Sequence, residues 1–316
     1  MGVVRLVRLG VWLAVVWGPA ACKGRDEAPS PPATSDRVSD SGVTPVYGDT
    51  AGPPHPAAVE LCDAVHGIPR RRRATCCNTT DDSAFLTTQC ERALSAALAA
   101  GAIQLDPADV EPCRKASLSA AAGCDWVTPV APAPPRACRA LVKGLRPRGA
   151  PCRSSLECVE GSFCLGAGPT ALGVCSAPLP PGRPCGTGVD ALASFSGQLD
   201  TRDAHPECDG TCTLRRCTAA TPLAGACTTS AACGRDRRCL AGRCAGGAHS
   251  SLGESCEGGS PCASGAFCRD GTCAALAGTG EACTSAHQCR GSCVMEPGTT
   301  HGTCAMQCSA VGARGR

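Results

Sequence analysis

Apolar residues recur at helical spacing in one part of the chain, residues 57 to about 125, and cysteines share that spacing. Ala58, Leu61, Cys62 and Val65 fall at i, i+3, i+4 and i+7, which predicts one face of a short helix. A longer stripe of Leu86, Cys90, Leu94 and Leu98, flanked by Ala93 and Ala97, predicts a second helix. Asp81, Asp82 and Ser83 offer it N-caps and Gly101 stops it. A third is predicted to start at Pro112, since proline is tolerated at a first helical position, and to end near Gly123. Cys62, Cys90 and Cys113 sit on or beside these faces, where they can staple helices together. The fold class that follows is small and disulfide-rich: an N-terminal disulfide-linked α-helical domain followed by tandem short-stranded cysteine-rich repeats.

Beyond a Pro-rich connector (129–148) the helical period gives way to a repeated cysteine frame. Three copies open with Cys-x5-Cys-x5-Cys and close on a fourth cysteine: Cys152, Cys158, Cys164, Cys175; Cys227, Cys233, Cys239, Cys244; and Cys256, Cys262, Cys268, Cys273. Two copies depart from the spacing, with Cys185, Cys208, Cys212, Cys217 stretched and Cys283, Cys289, Cys293, Cys304 shortened. Glycine stands three residues before the first cysteine at Gly149, Gly182, Gly253 and Gly280, with Ala224 as the exception. It also stands two before the last cysteine at Gly173, Gly242, Gly271 and Gly302, and both placements predict turns with positive φ. Asp270-Gly271 is a type I′ hairpin signal that brings Cys268 beside Cys273. Each unit is therefore expected to hold two or three short strands around two bridges, in any of three connectivities. A bridge closing a loop of about 15 residues contributes roughly 3 kcal/mol in the chain-entropy model, which substitutes for the core that units this small cannot build.

The chain has 29 cysteines in 316 residues and only 3% aromatics, so bridges rather than large apolar groups must supply the stability. Disulfides on this scale persist outside the reducing cytosol. The N-terminus agrees: Arg5 and Arg8, an apolar run from Leu9 to Trp17 and small residues at 18–21 predict a signal peptide over 1–21. Ala20-Ala21-Cys22 resembles a bacterial lipobox, although Pro19 stands where that pattern usually has leucine, and Cys22 is the expected lipidation site. Setting Cys22 aside leaves an even number of cysteines, and residues 22–56 then read as a disordered Pro/Ser-rich tether. The expected protein is exported and held at the outer membrane or cell surface, otherwise secreted. The helical domain (57–128) and its connector hold Cys62, Cys76, Cys77, Cys90, Cys113, Cys124 and Cys138, an odd set; Cys308 restores parity, either by bridging back to that domain or through irregular pairing in a repeat. The repeats span 149–308, and 309–316 is an expected disordered tail.

No chemistry beyond the bridges is assigned. Cys-x2-Cys is absent and the six histidines show no ligand spacing, so neither a metal nor a cofactor is expected. There is no nucleophile elbow, metalloprotease helix or P-loop, and no catalytic residue is nominated. A net charge of +3 gives no case for nucleic acid. Arg70, Arg71, Arg72 and Arg73 form a run between the first two predicted helices; it reads as a solvated loop or as a contact for an anionic lipid head group or polysaccharide.

The repeats, as in Cys256-x5-Cys262-x5-Cys268-x4-Cys273 with Gly265 and Gly271, resemble the Dickkopf N-terminal cysteine-rich module. From Leu61-Cys62 through Cys76-Cys77 to Cys308, the chain is similar to the myxobacterial cysteine-rich lipoproteins that carry this module. The resemblance implies extracellular protein binding. The expected function is thus a non-enzymatic surface lipoprotein displaying disulfide-stapled modules to an extracellular protein or surface polysaccharide, with membrane contact through the lipid. A secreted protease inhibitor and a structural envelope or matrix protein are the alternatives.

Overall fold

A computed structural model of the chain describes residues 46–48, 52–80, 84–128, 133–186, 190–198, 207–228, 230–234, 237–247, 249–257, 260–263 and 265–308. The predicted signal peptide, Cys22, the caps at 81–83 and the tail at 309–316 lie outside these residues. The fold is the disulfide-rich one expected, helices first and short antiparallel strand pairs after.

The base is helical. α1 (Pro56–Cys62) runs through a π turn (Asp63–Gly67) into α2 (Ile68–Cys77), followed by α3 (Phe85–Ala99) and α4 (Pro107–Ala120). Pro56 and Pro107 both occupy first-turn positions, where the missing N–H has no helical partner to lose. His55 Nδ1 accepts from Ala57 N, and Asp106 Oδ1 accepts from Ala108 N at 2.9 Å. The third helix therefore starts at Pro107 rather than Pro112, because Asp106 supplies the cap; Pro112 lies inside the helix and forgoes one backbone bond. α2 ends on Asn78 in the left-handed region at φ 48°. The arginine run lies within α2, not in a loop, since arginine is a good helix former and Pro69, the one helix breaker at 68–77, falls in the first turn where it is tolerated.

Leu61, Cys62, Cys90, Leu94, Val110 and Cys113 form the centre of the core. Leu86 is not part of it: at 43% exposure it projects from the first turn of α3. That core takes more of the chain than residues 57–128. Tyr47, assigned to the tether, is 2% exposed within it. The connector contributes Cys138 and Val142, and β2 (Lys143–Gly144) pairs with β1 (Ile103–Gln104). Leu156 comes from the first repeat, and Leu192 and Ala193 from the second. The last two sit on α5 (Ala191–Ser196), capped by Asp190 and packed against α3, so part of the insertion that stretches the second copy is a helix docked on the base.

The repeats share one frame. The third and fourth cysteines are register partners in an antiparallel hairpin in every copy: Cys164–Cys175 (β4, Phe163–Leu165, with β5, Gly173–Ser176), Cys212–Cys217, Cys239–Cys244, Cys268–Cys273 and Cys293–Cys304. A short third strand joins the first and last sheets, β3 (Pro151–Cys152) and β12 (Ala282–Cys283). The third and fourth cysteines are not bonded to each other. Bridges join first to third and second to fourth: Cys152–Cys164 with Cys158–Cys175, Cys185–Cys212 with Cys208–Cys217, Cys227–Cys239 with Cys233–Cys244, Cys256–Cys268 with Cys262–Cys273, and Cys283–Cys293 with Cys289–Cys304. The residue three before the first cysteine donates its N–H to the fourth cysteine's carbonyl in all five copies, at 2.7–2.8 Å. It does so at positive φ, including Ala224 at 61°.

Each unit also begins earlier than the cysteines suggest. The residue six before the first cysteine (Arg146, Leu179, Thr221, Ser250, Ala277) donates to the carbonyl of the residue preceding the second cysteine, at 2.7–2.8 Å. The first repeat thus starts at 146 rather than 149. At the other glycine position only Gly242 and Gly271 have positive φ. Gly173 and Gly302 are required by close approach instead: a Cβ would stand 2.4 Å from Leu165 O and 2.2 Å from Val294 O.

Candidate functional site

The vicinal cysteines at the end of α2 point to separate partners. Cys76 bonds Cys124 and Cys77 bonds Cys308, while Cys62–Cys90 and Cys113–Cys138 complete the base. Cys308 therefore reaches back to the helical domain across a sequence separation of 231. Arg73 donates to Cys308 O at 3.0 Å, Gln307 N to Val127 O at 3.0 Å, and Thr279 Oγ1 to Asp125 Oδ1 at 2.8 Å. The repeat array begins at Arg146, just after β2 on the base, and is bonded back to the base at Cys308.

The first two repeats are locked to the base by a polar cluster. Glu157, 1% exposed, accepts from Tyr47 Oη at 3.0 Å, from Arg153 N at 2.9 Å and from Arg153 Nε at 2.8 Å. The Arg153 guanidinium lies 4.5 Å over the Tyr47 ring. Burial, and next the Glu157 charge, push the Tyr47 phenol far above its ordinary range, so it remains a donor. Asp190 Oδ2 accepts from Ser155 N and its Oδ1 caps α5. The only signal in the sequence was a lone tyrosine within a polar stretch. On the same side His66 Nε2 lies 2.6 Å from Phe195 O, and burial lowers its pKa.

Helical geometry splits the arginine run. Arg71 makes a bidentate pair with Asp63 at 2.5 and 2.9 Å, which raises the guanidinium's pKa. Arg72 Nε donates to Gly123 O at 3.1 Å, and Arg73 holds Cys308. Ile68, Arg71, Arg72 and Thr75 share one face of α2 and, with Leu118 of α4 and Ala121 and Ala122 just past its end, line a groove of about 370 Å³. A second cleft, about 400 Å³, opens where the first three repeats meet, with Glu160, Asp209 and Arg237 at its walls.

The hairpin tips differ where the frame does not. β8 (Arg237–Leu240) and β9 (Arg243–Gly246) turn through Ala241-Gly242; β10 (Ala266–Arg269) and β11 (Thr272–Ala275) turn through Asp270-Gly271. Between β6 (Thr211–Thr213) and β7 (Arg216–Thr218), Leu214 and Arg215 take the same left-handed pair, φ 49° and 62°, without a glycine. Leu214 is 94% exposed. Holding a non-glycine residue there costs about 1–2 kcal/mol, a strain that accompanies functional positions. The sulfurs of each repeat lie close enough to one another to resemble a metal cluster, but all are committed to bridges. Among the described residues no helix is long and apolar enough to cross a membrane. No family model, curated protein or solved structure matches the chain.

Proposed function

We propose that the chain is a non-enzymatic, exported surface lipoprotein, anchored through Cys22, whose stapled repeats present binding loops to an extracellular protein or surface polysaccharide. The observation that carries this reading is the contrast within the repeats. Bridges, register and two backbone hydrogen bonds recur in five copies, while the tips range from Asp270-Gly271 to the strained Leu214-Arg215. A constant frame with divergent loops is how rigid scaffolds present contacts. The likeness to the Dickkopf module points the same way. A Leu214-Arg215 tip in left-handed conformation lacks the extended backbone that strand-addition recognition uses, so this tip lends no support to the inhibitor alternative.

The test immobilises the oxidised chain and titrates surface extract from the source organism over it. A saturable partner is expected, and replacing Leu214-Arg215 by Asp-Gly should weaken its capture while leaving the bridge map unchanged. Failure of the unaltered chain to retain any saturable partner would favour the structural envelope reading. Mass spectrometry tests the anchor: an unmodified, freely secreted N-terminus rules out lipidation at Cys22.

A further inference from the structure

The groove between α2 and α4 has the chemistry of an amphiphile site. Its floor is hydrocarbon: Ile68, Ala121, Ala122 and Leu118, the last 49% exposed although it stands beside an apolar wall. Its rim is basic, and no carboxylate lines it. Both rim guanidiniums are already positioned, Arg71 by Asp63 and Arg72 by Gly123 O, so binding an anion orders little further side chain. Asp63 offsets the charge of Arg71, which leaves Arg72 as the dominant cation and suits the site to a single negative charge. A volume of about 370 Å³ is at the low end for small-molecule sites and accommodates one hydrocarbon chain along the short apolar floor.

We propose that this groove binds a single-chain fatty acid, its carboxylate at Arg72 with Arg71 beside it and its chain along Ile68, Leu118 and Ala121. This lies apart from the repeat tips and does not depend on their function. The experiment is calorimetric titration of the oxidised chain with decanoate below its micelle concentration, alongside decanol and acetate. Decanoate should bind at one equivalent, with decanol and acetate each weaker by about tenfold or more, as expected when charge and hydrocarbon both contribute. Arg72→Gln should weaken decanoate by about tenfold. Leu118→Glu, at an exposed position that leaves the fold intact, should do the same by opposing the carboxylate. Decanol binding as tightly as decanoate, unchanged affinity in both variants, or no saturable decanoate binding would each overturn the proposal.

Discussion

In the helical base, Leu61, Leu94, Val110 and several alanines are buried together and the bridges pack among them. In the first, second, third and fifth repeats the buried clusters are the bridges themselves, with Ala167, Leu179 or Ala277 alongside and Phe163 of the first repeat as the one large apolar group buried fully on a repeat strand. Both regions must offset the same backbone entropy. The base does so largely by removing apolar surface from water, while the repeats remove conformations from the unfolded chain. A unit held by two crossed bridges needs few particular side chains, which frees its tips to vary. The base lacks that freedom, because its core recruits Tyr47, Leu156 and Leu192 from regions far apart in sequence.

Reduction should separate the two regions most sharply. With all bridges opened under native conditions, amides of β8 and β9 should exchange at unprotected rates, while those in α3 keep measurable protection; equal loss in both would show that the base also depends on its bridges throughout. With the bridges intact, the contrast reverses. Leu94→Ala should cost about 2–5 kcal/mol in urea unfolding, against under about 0.5 kcal/mol for Leu165→Ala on an exposed repeat strand. The frame itself is vulnerable only where backbones touch. Gly302→Ala sets a Cβ against Val294 O and should lower stability by about 1–3 kcal/mol, with loss of the β13–β14 pairing (Ser292–Met295 with Gly302–Ala305) seen by exchange.

Smaller effects run in both directions. Ala224→Gly should stabilise the third repeat by about 0.5–1 kcal/mol, since among the five left-handed residues three before the first cysteine it alone is not glycine; a fall in melting temperature would contradict the shared frame. The smallest effect concerns the base. Burial lowers the pKa of His66, so the unfolded chain takes up the proton first; its contribution is complete above about pH 6.5 and is lost as pH falls below that value. His66→Gln should flatten the decline in melting temperature between pH 7 and pH 5.5.

Much of this architecture was legible because it is local. The stripe at Ala58, Leu61, Cys62 and Val65 is buried as its spacing predicts. Asp270-Gly271 forms the left-handed pair that hairpin chemistry requires. The start of α4 is ambiguous in sequence because two prolines five residues apart both fit a first turn, and the Asp106 cap decides between them. The arginine run reads as a loop in sequence because charge density says nothing about backbone conformation, whereas it is helical. Of the candidate sites, the run itself could be seen in the sequence. That α2 divides it between a groove, Gly123 O and Cys308 could not, since the partners lie 51 and 235 residues away.

The sequence by itself determined the class of the molecule and the unit of its repeat, because cysteine spacing, glycine turns and apolar period act over a few residues. Tertiary structure alone chose one connectivity out of three for each unit, docked α5 of the second copy on the base, and closed the array through Cys77–Cys308. Those choices depend on which distant surfaces can be buried together and which sulfurs then come within bonding reach. No local pattern encodes that geometry.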